Sequence, residues 1–502
     1  MIDGFYLPPA LARGVETAVQ RFGPAHDAIE IRLPLFQSQD VTRWIEALRR
    51  ARAEHLAARP IAAILRPLER VVARYLDRRE RGRRALVQAL VESGRFPEPM
   101  IERALDDAFE PLARGGLRRW IAAELGSLSA LDQPVPTREG VLRRAVGPEW
   151  MLQVYAGNIP AVPVWPMLGA LLLKSALLAK TSAQEPVLAP MLARAIAQED
   201  ETLGRCLAVV WWKGGTEELE RAALAEAPAV LAFGGEIATA SLARMCRPDA
   251  KTVFHGPKVS VAYLGRGALS RANAPSAARR LAEDAALYDQ QGCLSPHAIY
   301  VERGGAVTPV DFAAALGEAL EEALGYAPPK RSSASQAASL QLYRAQARFD
   351  AATDPGTSVH ASAGTRWTVV CESGARFEPG PAHRTLRIHS IGGPDDFERA
   401  AVPSARFIEA VALEEAEPRR SALAARFAAL GIPRVTGVGS LQRPSPLGTH
   451  GGVPRLLPFV TWSTVEPAGR RVRRAPKRIR RSAGGPSARG SRTRGRAPRR
   501  SR

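Results

Sequence analysis

One cysteine, Cys293, lies in a segment whose composition suits an exposed nucleophile better than a buried core. Gly292 precedes it, two glutamines precede the glycine, and a Ser-Pro pair follows closely. Glycine adopts backbone conformations closed to other residues, so this segment can present both a thiol and a backbone N–H to a bound molecule. The thiolate of cysteine is a strong nucleophile that forms thioesters. The alternative is a small buried side chain, the usual state of a free cysteine.

The other cysteines and the histidines indicate neither a disulfide scaffold nor a metal site. The chain of 502 residues has four cysteines, which are far apart and include no Cys-x-x-Cys pair. Its eight histidines show no ligand spacing with a cysteine or a carboxylate. We therefore expect no metal, and a reducing compartment, which is the cytoplasm.

No segment predicts a signal peptide or a membrane span. The first ten residues lack a basic region followed by an apolar run. The longest apolar stretch, residues 159–179, contains three prolines and Lys174. These interruptions predict a buried loop and helix instead of a membrane-spanning helix.

The net charge of +20 resides mainly in the last 36 residues. Residues 467–502 contain 14 Arg, one Lys and no acid, which leaves +5 for the preceding 466 residues. This Arg-, Gly-, Ser- and Pro-rich tail cannot bury enough apolar surface to order itself, so we predict that it is disordered. It is either a solvated segment without a partner or a weakly specific, salt-sensitive ligand for anionic polymers.

Patterning divides the body of the chain into regions. Apolar residues at three- and four-residue spacing predict a helical N-terminal region, residues 1–130. From about residue 150, short β-type runs alternate with helices rich in Ala and Leu, which predicts parallel sheets in an α/β fold. A second α/β region begins near residue 274 and contains Cys293. The run 456–462 is predicted to be a last apolar strand.

Five short motifs follow one another at positions that the alternation assigns mostly to strand ends and loops. They are Tyr155-Ala-Gly-Asn158-Ile-Pro160, Lys180-Thr-Ser182, Phe233-Gly-Gly235-Glu, His255-Gly-Pro-Lys258-Val-Ser260 and Gln290-Gln-Gly-Cys293-Leu-Ser-Pro296. In this order they resemble the aldehyde dehydrogenase superfamily and, within it, the acyl-CoA reductases of bacterial luminescence. The resemblance covers about residues 140–465.

The resemblance implies a fold of two parallel-sheet α/β domains. Residues 131–273 would form a Rossmann-like dinucleotide-binding domain and residues 274–440 a catalytic domain. Residues 441–466 would return to complete the fold. A homo-oligomer is implied as well, and relatives often work with an acyl-protein synthetase.

The resemblance also assigns catalytic roles. Cys293 would attack the carbonyl of an acyl-CoA and hold the acyl group as a thioester. The side-chain amide of Asn158 and the backbone N–H of Cys293 would stabilise the tetrahedral oxyanion. His255 would be either a substitute base or proton donor, or a polar residue without a catalytic role.

The implied cofactor is NADPH or NADH. In the superfamily the lysine at position 180 binds the adenosine ribose, with Ser182 in the same turn. Phe233, Gly234 and Gly235 open a helix at which the cofactor can approach closely. Ala183 stands where NAD-preferring relatives often have a glutamate, so no carboxylate repels a 2′-phosphate there.

One departure from the superfamily bears on the reaction. The glutamate that activates the deacylating water in hydrolytic members is replaced by Phe254, beside His255. Without that base, water attack on the acyl-enzyme is expected to be slow. We therefore predict NAD(P)H-dependent reduction of a long-chain fatty acyl-CoA to its aldehyde. The alternatives are a CoA-acylating aldehyde dehydrogenase for short aldehydes and a non-catalytic scaffold.

Overall fold

The computed structural model describes residues 1–22, 28–138, 140–330 and 332–466. The basic tail from residue 467 lies outside the described residues, so the disorder expected for it stays a prediction. Within the described residues, no helix is long and apolar enough to cross a membrane. The apolar stretch 159–179 instead supplies a buried helix and the strand that follows it.

The N-terminal region begins with a small sheet that the helical prediction did not include. Its three strands lie in the order β1-β3-β2 in the sheet. A short helix separates β1 from β2 along the chain. Ile31 and Leu33 are buried while Glu30 and Arg32 are exposed, the alternation typical of a half-buried strand. The elements are β1 (Ile2–Asp3), α1 (Pro9–Ala12), β2 (Thr17–Phe22) and β3 (Ile29–Pro34).

Five amphipathic helices follow, as the apolar spacing predicts. In the first of them, Val41, Trp44, Ile45 and Leu48 are buried, which is the i, i+3, i+4, i+7 pattern of one helical face. The helices are α2 (Ser38–His55), α3 (Ile61–Leu76), α4 (Arg81–Glu92), α5 (Glu98–Phe109) and α6 (Gly116–Leu125).

The first large sheet is five-stranded and entirely parallel. Four of its strands, all except the last in chain order, are buried along almost their whole length, as is typical of a parallel sheet covered by helices. Its strands are β6 (Trp150–Val154), β7 (Ala176–Lys180), β8 (Leu207–Val210), β9 (Ala229–Phe233) and β10 (Lys251–His255), in the order β10-β9-β6-β7-β8. Its helices are α7 (Val164–Leu172), α8 (Leu188–Glu199), α9 (Glu201–Gly204), α10 (Glu217–Leu224) and α11 (Glu236–Met245).

The second large sheet has seven strands and contains the segment around Cys293. All neighbouring strands are parallel except the edge strand β13. The strands are β11 (Val259–Leu264), β12 (Pro296–Glu302), β13 (Ser358–Ala361), β14 (Thr368–Ser373), β15 (Thr385–Ile391), β16 (Ile408–Glu414) and β17 (Val435–Thr436), in the order β13-β14-β15-β12-β11-β16-β17. The helices are α12 (Ala274–Ala286), α13 (Pro309–Ala323), α14 (Ala334–Thr353), α15 (Pro394–Ala401) and α16 (Arg419–Ala429).

A third, antiparallel sheet joins the C-terminal segment to the middle of the chain. It consists of β4 (Val135–Pro136), β5 (Leu142–Val146) and β18 (Thr461–Val465), in the order β18-β5-β4. The prediction of a strand over 456–462 was wrong in its bounds. Residues 457–459 form a 3₁₀ turn, which packs Phe459 into the core before the strand begins.

Candidate active site

The carboxyl edge of the first large sheet gathers four of the five sequence motifs. Val154 pairs with Lys180 on β7 and with Ala232 on β9, and Phe233 pairs with His255 on β10. The strands of a parallel sheet end at the same edge, so the loops that leave them lie side by side. The fifth motif, around Cys293, approaches this edge from the second sheet.

A strained turn presents Cys293. Tyr288, Asp289 and Gln290 have φ values of 57°, 51° and 64°, the left-handed region that residues other than glycine rarely adopt. Each such residue costs on the order of 1–3 kcal/mol, so the surrounding contacts must hold the turn in place.

Two buried side chains within the turn supply those contacts. The Asp289 carboxylate forms a buried ion pair with Arg384, whose Nη2 lies 2.7 Å from Oδ1. Gln290 donates from Nε2 to the carbonyl oxygens of Pro296 and Thr385 at 2.7 and 2.9 Å, and its Oε1 accepts from the Thr385 backbone N–H at 2.8 Å. The turn is thus attached both to β15 and to the start of β12.

Asn158 contacts the cysteine segment from the opposite side. Its Nδ2 donates to the Gln291 carbonyl at 2.8 Å, and its second amide hydrogen remains for a ligand. Gly157 is required immediately before it, since a Cβ there would lie 2.7 Å from the backbone nitrogen of Glu185. The close passage of two backbones therefore fixes the position of Asn158.

The Cys293 thiol is protonated at neutral pH in this environment. Its pKa is raised to about 12, mainly by burial and also by the negative charge of Glu409. The backbone N–H groups of Cys293 and Leu294, together with Lys258, favour the thiolate but do not outweigh these effects. A thiol with so high a pKa needs a proton acceptor before it can act as a nucleophile.

Cys293 opens into a cavity of about 190 Å³ with a mainly apolar wall. The cavity lies between the helical N-terminal region, the first sheet and the cysteine segment. Its wall includes Trp120, Met151, Trp165, Leu173 and Phe459. Each methylene that enters such a cavity contributes about 0.8 kcal/mol, so the site suits an aliphatic chain.

His255 lies in the wall of the same cavity, in a cluster with the rings of Phe233 and His450, whose own centroids are 5.5 Å apart. Its ring centroid is 4.9 Å from that of Phe233 and 4.0 Å from that of His450, in stacked arrangements. Burial, followed by the charges of Lys258 and Arg455, lowers its pKa to about 4. His255 is therefore neutral at pH 7.

The sequence-assigned cofactor residues border the same edge. Lys180 Nζ has no hydrogen-bond partner among the described residues and lies 5.4 Å from the centroid of the Trp212 ring. Burial lowers the pKa of Lys180, and the negative charge of Glu220 opposes this only in part. The Ser182 hydroxyl accepts from the backbone N–H of Gln184 at 3.1 Å.

Gly234 and Gly235 precede α11, whose N-terminus receives no side-chain cap. A Cβ on Gly235 would meet no atom of the described residues within 4 Å, so the backbone there faces open space. Uncapped N–H groups and open space fit a phosphate group. A free lysine and an uncapped helix at one sheet edge therefore suit a dinucleotide.

Three further titratable residues, Glu372, Glu378 and His297, lie on or beside strands of the second large sheet. Glu372 and Glu378 both bind Arg387, at 2.8 and 2.7 Å, so neither has a free carboxylate. Burial lowers the pKa of His297 to about 4. It is therefore neutral and does not stabilise a thiolate.

Sequence reasoning missed the polar residues opposite Cys293. Glu409 lies on β16, and Arg434 immediately precedes β17. His450 and Arg455 lie in the C-terminal return segment. The run Ile-Glu-Ala-Val-Ala-Leu-Glu of β16 carries the signal for Glu409, because an acid inside an apolar strand is costly unless it has a role. No cluster of three or more metal-ligating side chains occurs in the part of the chain that the structure describes.

Comparison with a family model decides the family. The model described as acyl-CoA reductase (LuxC) matches residues 56–462. The chain belongs to this family. The enzyme class expected from the motifs, an oxidoreductase that acts on acyl or aldehyde groups, is thereby confirmed.

Curated relatives agree with this membership. A long-chain acyl-protein thioester reductase of Photorhabdus luminescens is 28% identical over 363 residues, 70% of this chain and 71% of the relative. The Vibrio harveyi protein of the same name is 24% identical over 466 residues, 90% of this chain and 92% of the relative.

Solved structures confirm the aldehyde dehydrogenase-like α/β fold. The NADP-dependent glyceraldehyde-3-phosphate dehydrogenase of Bacillus halodurans has a TM-score of 0.68 at 14% identity, covering 90% of this chain and 96% of that one. An NAD-dependent benzaldehyde dehydrogenase of Corynebacterium glutamicum has a TM-score of 0.65 at 16% identity, covering 90% and 94%. At these identities the likeness concerns the fold alone.

The buried Asp289–Arg384 pair generates a stability prediction. Asp289→Asn leaves the Arg384 guanidinium, 1% exposed, without its carboxylate. We expect a loss of about 3–5 kcal/mol in the free energy of unfolding, measured by urea titration. The control is Asp395→Asn, which removes one exposed partner of Arg426. Because solvent screens this pair and Glu398 still binds Arg426, the loss should be far smaller. Equal small losses in both variants would contradict the structural importance of the buried pair.

Proposed function

We propose that this protein reduces a long-chain fatty acyl-CoA to the fatty aldehyde through a thioester on Cys293, with NADPH or NADH as reductant. The observation that carries this proposal is the Cys293 thiol at the wall of a mainly apolar cavity, beside the carboxyl edge of the first sheet. The cavity accepts the acyl chain, and the sheet edge accepts the cofactor. Membership of the acyl-CoA reductase family supports the same reaction.

Acyl transfer is the first step. The Cys293 sulfur attacks the thioester carbonyl carbon, the bond from that carbon to the CoA sulfur breaks, and CoA leaves as the thiol. The free amide hydrogen of Asn158 and the Cys293 backbone N–H donate to the oxyanion, and one such donor contributes about 3–4 kcal/mol. Both groups flank the cysteine, and neither donor is used up by another described residue.

A reduced nicotinamide, when bound, supplies the hydride that converts the thioester to the aldehyde. Lys180 would bind the adenosine ribose, Ser182 would lie in the same turn, and Gly234 and Gly235 would border the phosphates. Phe233 would lie beside the reacting end of the cofactor. Phe254 leaves the usual position of a water-activating glutamate without a base, so the thioester persists until it is reduced.

His255 is better suited to shaping the site than to moving protons. Its ring packs against those of Phe233 and His450 in one cluster and is neutral at pH 7. We propose that it excludes water from the thioester. The cytoplasm remains the predicted location.

Two kinds of partner follow from the same proposal. Several curated relatives are named acyl-protein thioester reductases, so an acyl-protein synthetase is a second donor to test beside acyl-CoA.

The outer strand β18 is mostly exposed, and an exposed edge strand can pair with a second copy of the chain. We propose a homo-oligomer, which light scattering tests: a single-chain mass at all concentrations would contradict it.

The nucleophile has a direct test. Purified protein is mixed with a long-chain acyl-CoA and NADPH, and aldehyde and nicotinamide absorbance are followed. Cys293→Ser should lower aldehyde formation at least about 10³-fold, because a serine without an activating base is a poor nucleophile. Cys246→Ser, which changes the other partly exposed cysteine, should retain activity. Aldehyde formation at the wild-type rate by Cys293→Ser would reject the mechanism.

Cofactor selection is tested at position 183, where the side chain is exposed. Ala183→Glu places a carboxylate near the 2′-phosphate of NADPH, and we expect the KM for NADPH to rise about tenfold while that for NADH changes little. Ala183→Gln, of nearly the same size without the charge, is the matched control. Equal effects of both variants on both cofactors would show that position 183 does not contact the 2′-position.

A further inference from the structure

Glu409 is a buried acid in the wall of the cavity that contains Cys293. It lies on β16, and its residue is 3% exposed. Val259 pairs with Ile408 and Val261 with Val411, so β16 has one extra residue at a β-bulge that includes Glu409. A bulge redirects a side chain out of the regular alternation of a strand, and bulges are frequent beside active sites.

The two carboxylate oxygens of Glu409 have different surroundings. Oε1 accepts a hydrogen bond from the Gly451 backbone N–H at 2.7 Å. Oε2 is buried and accepts no hydrogen bond from the described residues, and its nearest cation, Lys258 Nζ, is 3.6 Å away. A buried carboxylate oxygen without a hydrogen bond is costly, which calls for an explanation.

Gly451 makes room for this arrangement. Its φ is 59°, in the left-handed region. A Cβ there would lie 3.4 Å from His255 Nδ1, 3.4 Å from Lys258 Nζ and 3.6 Å from Glu409 Oε2. The three polar atoms therefore converge on one point, which glycine leaves open, and two of them belong to residues that line the cavity, His255 and Glu409.

Charge links Glu409 to the nucleophile. The Glu409 carboxylate is the largest charge effect on Cys293 and raises the pKa of the thiol, while Lys258 lowers it. Burial raises the pKa of Glu409 itself, an effect opposed by the Gly451 hydrogen bond and by Lys258. A carboxylate whose pKa is raised is a stronger base than a solvent-exposed one, so it is better able to accept a proton from a thiol.

The other titratable groups that face Glu409 and Cys293 are poor proton acceptors. Lys258, Arg434 and Arg455 are cations. His255 and His450 are neutral but stacked on one another, and burial lowers the pKa of both. Asp107 also lines the cavity, but its carboxylate binds Arg103 at 2.7 Å. Glu409 differs in that its Oε2 accepts no hydrogen bond from the described residues, so it is the carboxylate better placed to act as a base.

We propose that Glu409 is a further catalytic residue, which accepts the Cys293 thiol proton during acyl transfer, directly or through one water in the cavity. The inference rests on the proposed function, because it requires Cys293 to be the nucleophile. As the bond from sulfur to the acyl carbon forms, the S–H bond breaks and the proton passes to Oε2. When the donor's C–S bond breaks, the departing thiolate takes that proton, and Glu409 is again a carboxylate.

The test compares Glu409→Gln with wild type in two measurements. The first is the pH dependence of Cys293 alkylation by iodoacetamide, which reports the thiolate. The second is the single-turnover rate of acyl transfer from a long-chain acyl-CoA, followed by the mass of the intact protein. Removing the negative charge should shift half-maximal alkylation to lower pH, while loss of the base should slow acyl transfer about 10²-fold. A purely structural defect would not produce these opposite changes.

The matched control is Glu414→Gln on the same strand, where the carboxylate pairs with Arg280 outside the cavity. It should change neither measurement. Acyl transfer by Glu409→Gln at the wild-type rate, or a parallel loss of alkylation and acyl transfer, would overturn the proposal. Aldehyde formation by Cys293→Ser would instead reject the proposed function, so the two failures are distinguishable.

A second variant keeps the proposal testable if Glu409→Gln does not fold. Lys258→Met removes the cation that lowers the pKa of Glu409, so the acidic limb of the acyl-transfer rate should move to higher pH. Without Lys258 the pKa of Glu409 rises. As the pH falls, the Glu409 carboxylate is then protonated at a higher pH, and the acyl-transfer rate declines from that point. An acidic limb that stays in place would contradict a role for Glu409 as the proton acceptor.

Discussion

The left-handed turn at Tyr288, Asp289 and Gln290 is the constraint on which the active site depends. Three consecutive residues other than glycine adopt left-handed φ values. Each such residue costs roughly 1–3 kcal/mol of conformational free energy. The buried Asp289–Arg384 pair and the three hydrogen bonds of Gln290 offset this cost. Arg384 and Thr385 lie at the start of β15, so the second sheet itself holds the turn in place.

The consequences of this turn extend to both sheets. It brings the Gln291 carbonyl within reach of Asn158, which belongs to the loop after the first sheet. It also places Cys293 in the wall of the cavity that Glu409 and the C-terminal return segment line. Cys293, Glu409 and the loop that carries Asn158 thus come from three separate parts of the chain to meet around one cavity.

The same geometry explains why the nucleophile is protonated at rest. A dense, mainly apolar environment raises the pKa of the thiol, and a nearby carboxylate raises it further. Such a thiol reacts only when its proton can leave as the new bond forms. An apolar cavity that binds an acyl chain is therefore compatible with thiol chemistry only if a base is built into its wall.

Much of this arrangement could be predicted from the sequence, because the relevant signals are local. The strand-loop-helix alternation indicated the parallel sheets, and the Gly-Cys segment and Gly157-Asn158 indicated loops at their edges. The left-handed turn could not be predicted, because no glycine marks it and only distant partners such as Arg384 stabilise it. The strand β16 and its Glu409 were missed for a related reason, because the pairing partner β11 is remote in the chain. The hairpin of β2 and β3 is local and was missed because the helical prediction for residues 1–130 was extended over it.

One measurement tests the dependence of the chemistry on the turn most directly. Gln290→Leu retains the side-chain volume but removes the hydrogen bonds to Pro296 and Thr385. Single-turnover transfer of an acyl group to Cys293, followed by intact mass, should fall about 10²-fold, because a misplaced nucleophile loses its alignment. Circular dichroism should show that the secondary structure persists. Transfer at the wild-type rate in a folded Gln290→Leu protein would contradict the account.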